Sequence, residues 1–301
     1  AVTAETRTDT LSFEKWQALG NDYLILERER LPFALTPARV RKLCAGHFGV
    51  FADGVLLICP PADPAAHVAD LRIFNPDGSE AELSGNGARE AIMYLRRRGW
   101  TESETFAIRT VAGEIRPRIT GADTCTVDMG RASVTSKDFP GGPPDGRGRV
   151  SSDGREWDFQ HVSIGNPQCA IAVASPAELE QLDLDAIGPS IEGDARFPNR
   201  TNVSWYAPLG PARIRARIFE RGVGETLSSG TGATGAAVAY ALEREAGERR
   251  AARGRVTVVL DGGELDVEVG EDLRVNLTGW ARPVFAGRLS EDFEKELHET
   301  E

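Results

Sequence analysis

Cysteine, histidine and lysine are scarce in these 301 residues, and the few that occur are scattered. Cys44, Cys59, Cys125 and Cys169 show no C-x-x-C spacing and no clustering with histidine. That pattern indicates neither a metal site nor a disulfide framework, and leaves small buried hydrophobes as their reading. His47, His67, His161 and His298 stand far apart, so each reads as a surface or structural residue. Lys15, Lys42, Lys137 and Lys295 all lie outside the glycine-rich stretches, which argues against pyridoxal phosphate. Long apolar runs are missing too: nothing approaches the ~18 residues a spanning helix needs. The opening AVTAETRTDTLSFEKW carries no positive-then-apolar signal pattern. A cytoplasmic protein is expected, with about ten N-terminal residues frayed. Positive charge is the minority sign, and the net charge of −11 speaks against nucleic acid or an anionic membrane as partner.

What remains is an ordinary globular composition, 41% hydrophobic and 27% charged, in a chain long enough for two domains. Glycine is abundant, at 32 residues, and several of them fall in a stretch that the chain writes twice. Phe74 to Arg89 reads FNPDGSEAELSGNGAR, and Phe219 to Ala233 reads FERGVGETLSSGTGA. Phe74, Glu80, Ser84, Gly85, Gly87 and Ala88 fall on Phe219, Glu225, Ser229, Gly230, Gly232 and Ala233 at one constant offset of 145 residues. Gly20-Asn21 falls on Gly165-Asn166 at the same offset. Two matched segments in one register indicate a duplicated domain.

The order of elements supports this. Two β-prone runs around Gly20-Asn21-Asp22 are followed by a helix over Thr36–Gly46, strands ending near Ile58 and Phe74, the first motif, and a helix with Ala88, Ala91, Ile92 and Leu95 on one face. Strand-like text covers Thr105–Ile119 and Thr124–Met129, and the Pro- and Gly-rich Ser136–Gly154 reads as a linker or long surface loop. The second half repeats strand, turn, strand, a helix over Pro176–Ile187, two strands, the second motif, and a helix over Ala233–Glu245. That last helix is apolar all round in its first turns, so it is expected inside a curved sheet. The domains are placed at 11–132 and 133–279, with 280–295 returning to pack on the first.

In each motif a strand ends, a polar turn follows, and Ser-Gly-x-Gly opens a helix. Glycines there bare the backbone N–H groups of a helix N-terminus, which suits a carboxylate or phosphate. Ser84 and Ser229 are ordinary helix caps on one reading. On the other they flank one small ligand, as a two-base racemisation requires, one group removing a proton while the other delivers one to the opposite face. Gly230 to Gly235 formally matches G-x-G-x-x-G, but no strand leads directly into it and no β-α-β unit follows, so a dinucleotide site is not indicated.

Taken together, LGNDY at Leu19–Tyr23, the two long motifs, SIGNPQC and the ending LTGWARPVFAG resemble the diaminopimelate epimerases and their cofactor-independent epimerase and racemase superfamily. The resemblance covers nearly the whole chain. It implies an α/β (α+β) fold of two pseudo-symmetric domains, each a curved mixed β-sheet around a central helix, with the ligand in a cleft between them. It implies a small amino-acid substrate and neither cofactor nor metal, and a homodimer is compatible with it. By the same resemblance Asn21, Asn75, Asn166, Asn202, Glu220 and Arg221 hold the substrate's amino and carboxylate groups, with Gly85, Asn86, Gly230 and Thr231 at the helix ends. The expected activity is interconversion of LL- and meso-diaminopimelate. The departures fall on the chemistry: serines stand at 84 and 229 where the family carries cysteines, and Gln168 stands where it carries histidine. The alternative is therefore a divergent or inactive paralogue that binds an amino acid or performs another racemisation or isomerisation.

Overall fold

The computed structural model describes residues 11–247 and 254–301; the stretch expected to fray at the N-terminus lies outside them. In chain order come β1 (Ser12–Ala18), β2 (Asn21–Glu27), α1 (Pro37–Cys44), β3 (Val55–Cys59), β4 (Ala69–Phe74), β5 (Glu80–Ala81), α2 (Gly85–Arg97), β6 (Ile108–Thr110) and β7 (Gly113–Ile115). They are followed by β8 (Arg118–Ile119), β9 (Thr124–Arg131), β10 (Arg147–Ser152), β11 (Arg155–Ser163), β12 (Pro167–Ala172), α3 (Pro176–Glu180), α4 (Leu184–Glu192), β13 (Asn202–Gly210), β14 (Arg213–Glu220) and β15 (Gly224–Thr226). Last come α5 (Gly230–Gly247), β16 (Gly254–Leu260), β17 (Gly263–Val269), β18 (Arg274–Trp280), β19 (Arg282–Arg288) and α6 (Glu291–Glu299).

These elements form two mixed sheets. One runs β19-β1-β2-β3-β4-β6-β7 with β5 beside β4; the other runs β10-β11-β12-β13-β14-β16-β17-β18-β9-β8 with β15 beside β14. The duplication is visible in the pairing itself. Parallel pairs β2/β3 and β4/β6 in the first sheet answer β12/β13 and β14/β16 in the second. Each parallel pair is joined by a helical crossover, as such a connection requires. Phe74 pairs with Glu80 and Phe219 with Glu225, again 145 residues apart, so the offset found in the text is also a register. Even the ion pair across it repeats, as Arg72 to Glu80 and Arg217 to Glu225, each 2.8 Å. The turns between β1 and β2 and between β11 and β12 place Gly20 (φ 83°) and Gly165 (φ 90°) in the left-handed region, where glycine meets no steric cost.

The helices differ in how they are covered. α5 packs against β11–β14 and β16–β18. Its Ala233, Ala236, Ala237, Val238 and Ala241 join Ile214, Ile218, Val258, Val267 and Leu277 in one core. Small side chains let the sheet close around the helix, and each buried Val or Leu of the lining contributes roughly 1.5–3 kcal/mol over its exposed state. The other face of this sheet carries Trp205, Val203 and Phe219 against Leu184, Ile187 and Ile191 of α4. Both faces being covered, β13 is buried without a break from Asn202 to Ala207. In the first unit Val40, Leu43 and Cys44 of α1 and Leu297 of α6 cover Leu24, Leu26, Val55 and Leu57. α2 is buried from Asn86 through Leu95, wider than the single face expected. All four cysteines are buried; burial, with Asp22 and Asp53 adding, pushes the Cys44 thiol up to about 12.

The compact units are Leu19–Asn21 with Pro117–Trp280, and Asp22–Arg116 with the described residues up to Ala18 and Ala281–Glu301. The change of unit thus falls at Arg116/Pro117 and not at 132/133. The cause is strand exchange: β9, written at the end of the first repeat, pairs with β18, and β19, written at the end of the second, pairs with β1. Nor is Ser136–Gly154 a linker. It contributes β10 to the edge of the second sheet, buries Phe139 against Phe159 and Phe197, and anchors Ser136 on His161 Nε2 at 2.9 Å. Both motif helices also begin earlier than expected, directly after the serine.

Candidate active site

Each half-site is built from the start of a buried helix upward. In the first unit Ser84, in extended backbone (φ −132°), caps α2: the Gly87 N–H donates to its Oγ at 3.1 Å. In the second unit the Gly232 N–H donates to Ser229 Oγ, also at 3.1 Å. The capping reading is therefore met by both serines, a contribution of typically ~1 kcal/mol each. It does not exhaust them. The N–H groups of Gly85 and Asn86, and of Gly230 and Thr231, precede the first rung of their helices and carry the positive end of the dipole. A hydroxyl beside such an end is placed where a negative charge on its oxygen is stabilised.

The two hydroxyls have different third partners. Ser84 Oγ accepts a hydrogen bond from the Tyr23 hydroxyl at 3.1 Å. The Glu220 carboxyl accepts from Thr226 Oγ1 at 2.7 Å through Oε1, and the nearby Ser229 hydroxyl favours its charged form. Burial raises Glu220 above the ordinary carboxylate range, and the Thr226 and Ser229 hydroxyls act against that by favouring the charged form. Glu220 sits at the end of β14 before a tight turn in which the Val223 N–H donates to its carbonyl at 3.0 Å; Asn75 holds the matching turn in the first unit through the Gly78 N–H at 2.9 Å.

Among the residues expected to bind substrate, the second unit gathers eight: Asn21, Asn166, Asn202, Glu220, Arg221, Ser229, Gly230 and Thr231. Asn166 Nδ2 donates to Thr231 Oγ1 at 3.2 Å and its Oδ1 accepts from Gln168 Nε2 at 2.8 Å. Gln168 lies opposite Asn202 in the parallel β12/β13 pair, and Asn202 Oδ1 accepts the Arg221 N–H at 2.7 Å. The Gln168 Oε1 is buried and has no hydrogen-bond partner among the described residues. Arg221 is exposed, its guanidinium donating to the Asn199 carbonyl at 3.0 Å. The first unit supplies Asn75, Ser84, Gly85 and Asn86. Asn75 donates to Ser79 Oγ at 3.0 Å rather than to the helix end, and Asn86 is held by Arg89.

Two contributors were not singled out from the sequence. Thr226 is visible afterwards as the residue three before Ser229. Tyr23 carries no such signal, because a ring in a β-prone run reads as core, which its ring is. A cavity of about 700 Å3 in the first unit, lined among others by Glu14, Glu27, Arg98 and Arg288, contains none of the expected residues. Its carboxylates are already engaged, Glu14 by Trp16 Nε1 at 2.7 Å and by Arg98, Glu27 by the Tyr94 hydroxyl at 2.6 Å and by Arg30 at 3.0 Å.

The fold of the chain is shared by several solved structures. A phenazine biosynthesis protein of the PhzF family from Bacillus anthracis superposes with a TM-score of 0.67 at 18% identity, over 93% of this chain and 99% of that one. A hydroxyproline epimerase from Agrobacterium vitis, solved with trans-4-OH-L-proline, gives 0.65 at 15% identity, over 95% and 94%. These likenesses establish the fold. The sequence goes further: the diaminopimelate epimerase family model matches residues 13–135 and again 160–282, and the chain belongs to that family. It is 39% identical to a diaminopimelate epimerase of Synechococcus sp. (strain JA-3-3Ab), over 93% of this chain and 99% of the relative. One from Pelotomaculum thermopropionicum is 38% identical over 92% and 98%. Among the described residues no helix is long and apolar enough to cross a membrane.

Proposed function

We propose that this protein is a cofactor-independent epimerase that interconverts LL- and meso-diaminopimelate, with Ser84 and Ser229 as its acid-base pair. The observation that carries the reading is the twice-built helix start: in each unit a serine Oγ accepts the third helical N–H at 3.1 Å and also meets a proton-bearing or proton-accepting partner. Family membership supplies the substrate class. One serine takes the α-proton while the other delivers a proton to the opposite face, and the helix N-termini favour the anionic form of whichever oxygen is charged. The N–H groups of Gly85, Asn86, Gly230 and Thr231 at the helix starts suit the α-carboxylate. Asn21, Asn75, Asn166, Asn202 and Arg221 serve to fix the amino and carboxylate groups. The activity belongs to lysine and peptidoglycan biosynthesis, which fits a cytoplasmic location, and a homodimer is compatible with it. The test is chiral chromatography of the purified protein with LL-diaminopimelate. Appearance of the meso isomer supports the reading; binding without any meso product contradicts it.

A further inference from the structure

A serine hydroxyl is a poor acid and a poor base, and by itself it needs a neighbour to do either. The two serines here have neighbours of opposite character. Ser84 Oγ accepts twice, from the Tyr23 hydroxyl and from the Gly87 N–H, both at 3.1 Å. Both bonds point at the oxygen, so the serine's own proton remains to be given away. Ser229 Oγ accepts the Gly232 N–H, and Glu220, anchored by Thr226 Oγ1 at 2.7 Å, is the nearby carboxyl whose charged form the Ser229 hydroxyl favours.

We propose that Tyr23 is a positioning residue that makes Ser84 the proton donor of the pair, while Glu220 makes Ser229 the acceptor. The assignment rests on the epimerase reading above and deepens it. The proton count closes without a further reactant. In one direction the Cα–H bond breaks toward Ser229 Oγ, whose own proton moves to the Glu220 carboxylate, and the opposite direction retraces the same steps with donor and acceptor exchanged. The carbanion takes the proton of Ser84, and the electron pair left on that oxygen takes the phenolic proton of Tyr23. One proton has gained the carboxylate, one has left the phenol, and exchange with water restores both. A phenol is suited to the task because its free pKa of about 10 makes it far more acidic than an aliphatic hydroxyl. The duplication sharpens the point: the position matching Tyr23 at the 145-residue offset is Gln168, which carries no such proton and turns its amide to Asn166 instead. The asymmetry is therefore built into the pair of half-sites.

The test is a double-mutant cycle. Tyr23→Phe removes one oxygen from a buried ring, and it is made in the native chain and in a Ser84→Cys chain. A thiol, with a free pKa of about 8.5, needs no phenol to release its proton. In the native chain we expect kcat to fall by roughly 100-fold or more with KM little changed, the scale of a lost acid-base contribution. In the Ser84→Cys chain the same change is expected to cost under about 3-fold, well below that scale. Equal losses in the two backgrounds mean that Tyr23 is only packing, and no loss in the native chain means that Ser84 does not use it; either result overturns this inference alone. Absence of any epimerisation by the native protein overturns the epimerase reading and this inference with it.

Discussion

A serine can move an α-proton only if its own proton has somewhere to go, so the predictions at the residue scale concern Glu220. As acceptor for Ser229 it must be ionised. Burial sets its pKa above the ordinary value of a glutamate, so kcat/KM is expected to fall on acidification through a pKa above that ordinary range. Glu220→Gln should lower kcat by roughly 100-fold to 10,000-fold, the span of a lost general base, and should flatten that acid limb. Rate-pH profiles of the two proteins check this, and an unchanged acid limb in the variant would refute the assignment. Ser84, Ser229 and Glu220 were legible in the sequence because the repeat sets them side by side in text. Tyr23 was not, because its partner is 61 residues away and only folding brings the phenol to the cap.

Helix α2 carries a charge problem of its own. Arg89 and Glu90 are both fully buried, and neither Glu90 oxygen has a hydrogen-bond partner in the described structure. Burial raises Glu90 well above the usual carboxylate range; Arg89 opposes this, and Asp22 and Asp53 add to it. The sign follows directly. With the folded pKa above the unfolded value of about 4.3, the folded state holds the extra proton between the two, so stability is greatest below the unfolded pKa and is lost as pH rises through the folded one. Glu90→Gln keeps the shape and removes the titration. Its stability relative to the native chain should therefore be higher at pH ~8 than at pH ~4, as urea unfolding at the two pH values measures; a difference independent of pH would contradict it. The existence and order of α1, α2, α5 and most strands followed from periodicity and caps, whereas α6 was not expected and the single helix expected over Pro176–Ile187 is two, α3 and α4. β10 did not, since its run of Pro, Gly and Asp on the amino side reads as loop, and its strand character comes from pairing with β11.

For the whole molecule, the sequence repeat and the compact units are not the same division. The 145-residue offset was visible without a structure, because each copy must rebuild the same turn, cap and register. The exchange of β9 and β19 was not, because strand partners far apart in sequence leave no local mark. It predicts that a chain ending at Trp280, lacking β19 and α6, exposes the first unit selectively, since Leu289 and Leu297 leave its core. Amide exchange should then rise in β1–β4 and remain slow in α5 and its surrounding strands; uniform loss of protection would contradict the division. The central claim, that two serine-capped helix starts move an α-proton, has a direct measurement: the native protein with LL-diaminopimelate in D2O, following deuterium at the α-carbon by NMR or mass spectrometry. Incorporation that is lost in Ser84→Ala and in Ser229→Ala is the expected result, and bound substrate whose α-hydrogen never exchanges in the native protein would rule out α-proton transfer.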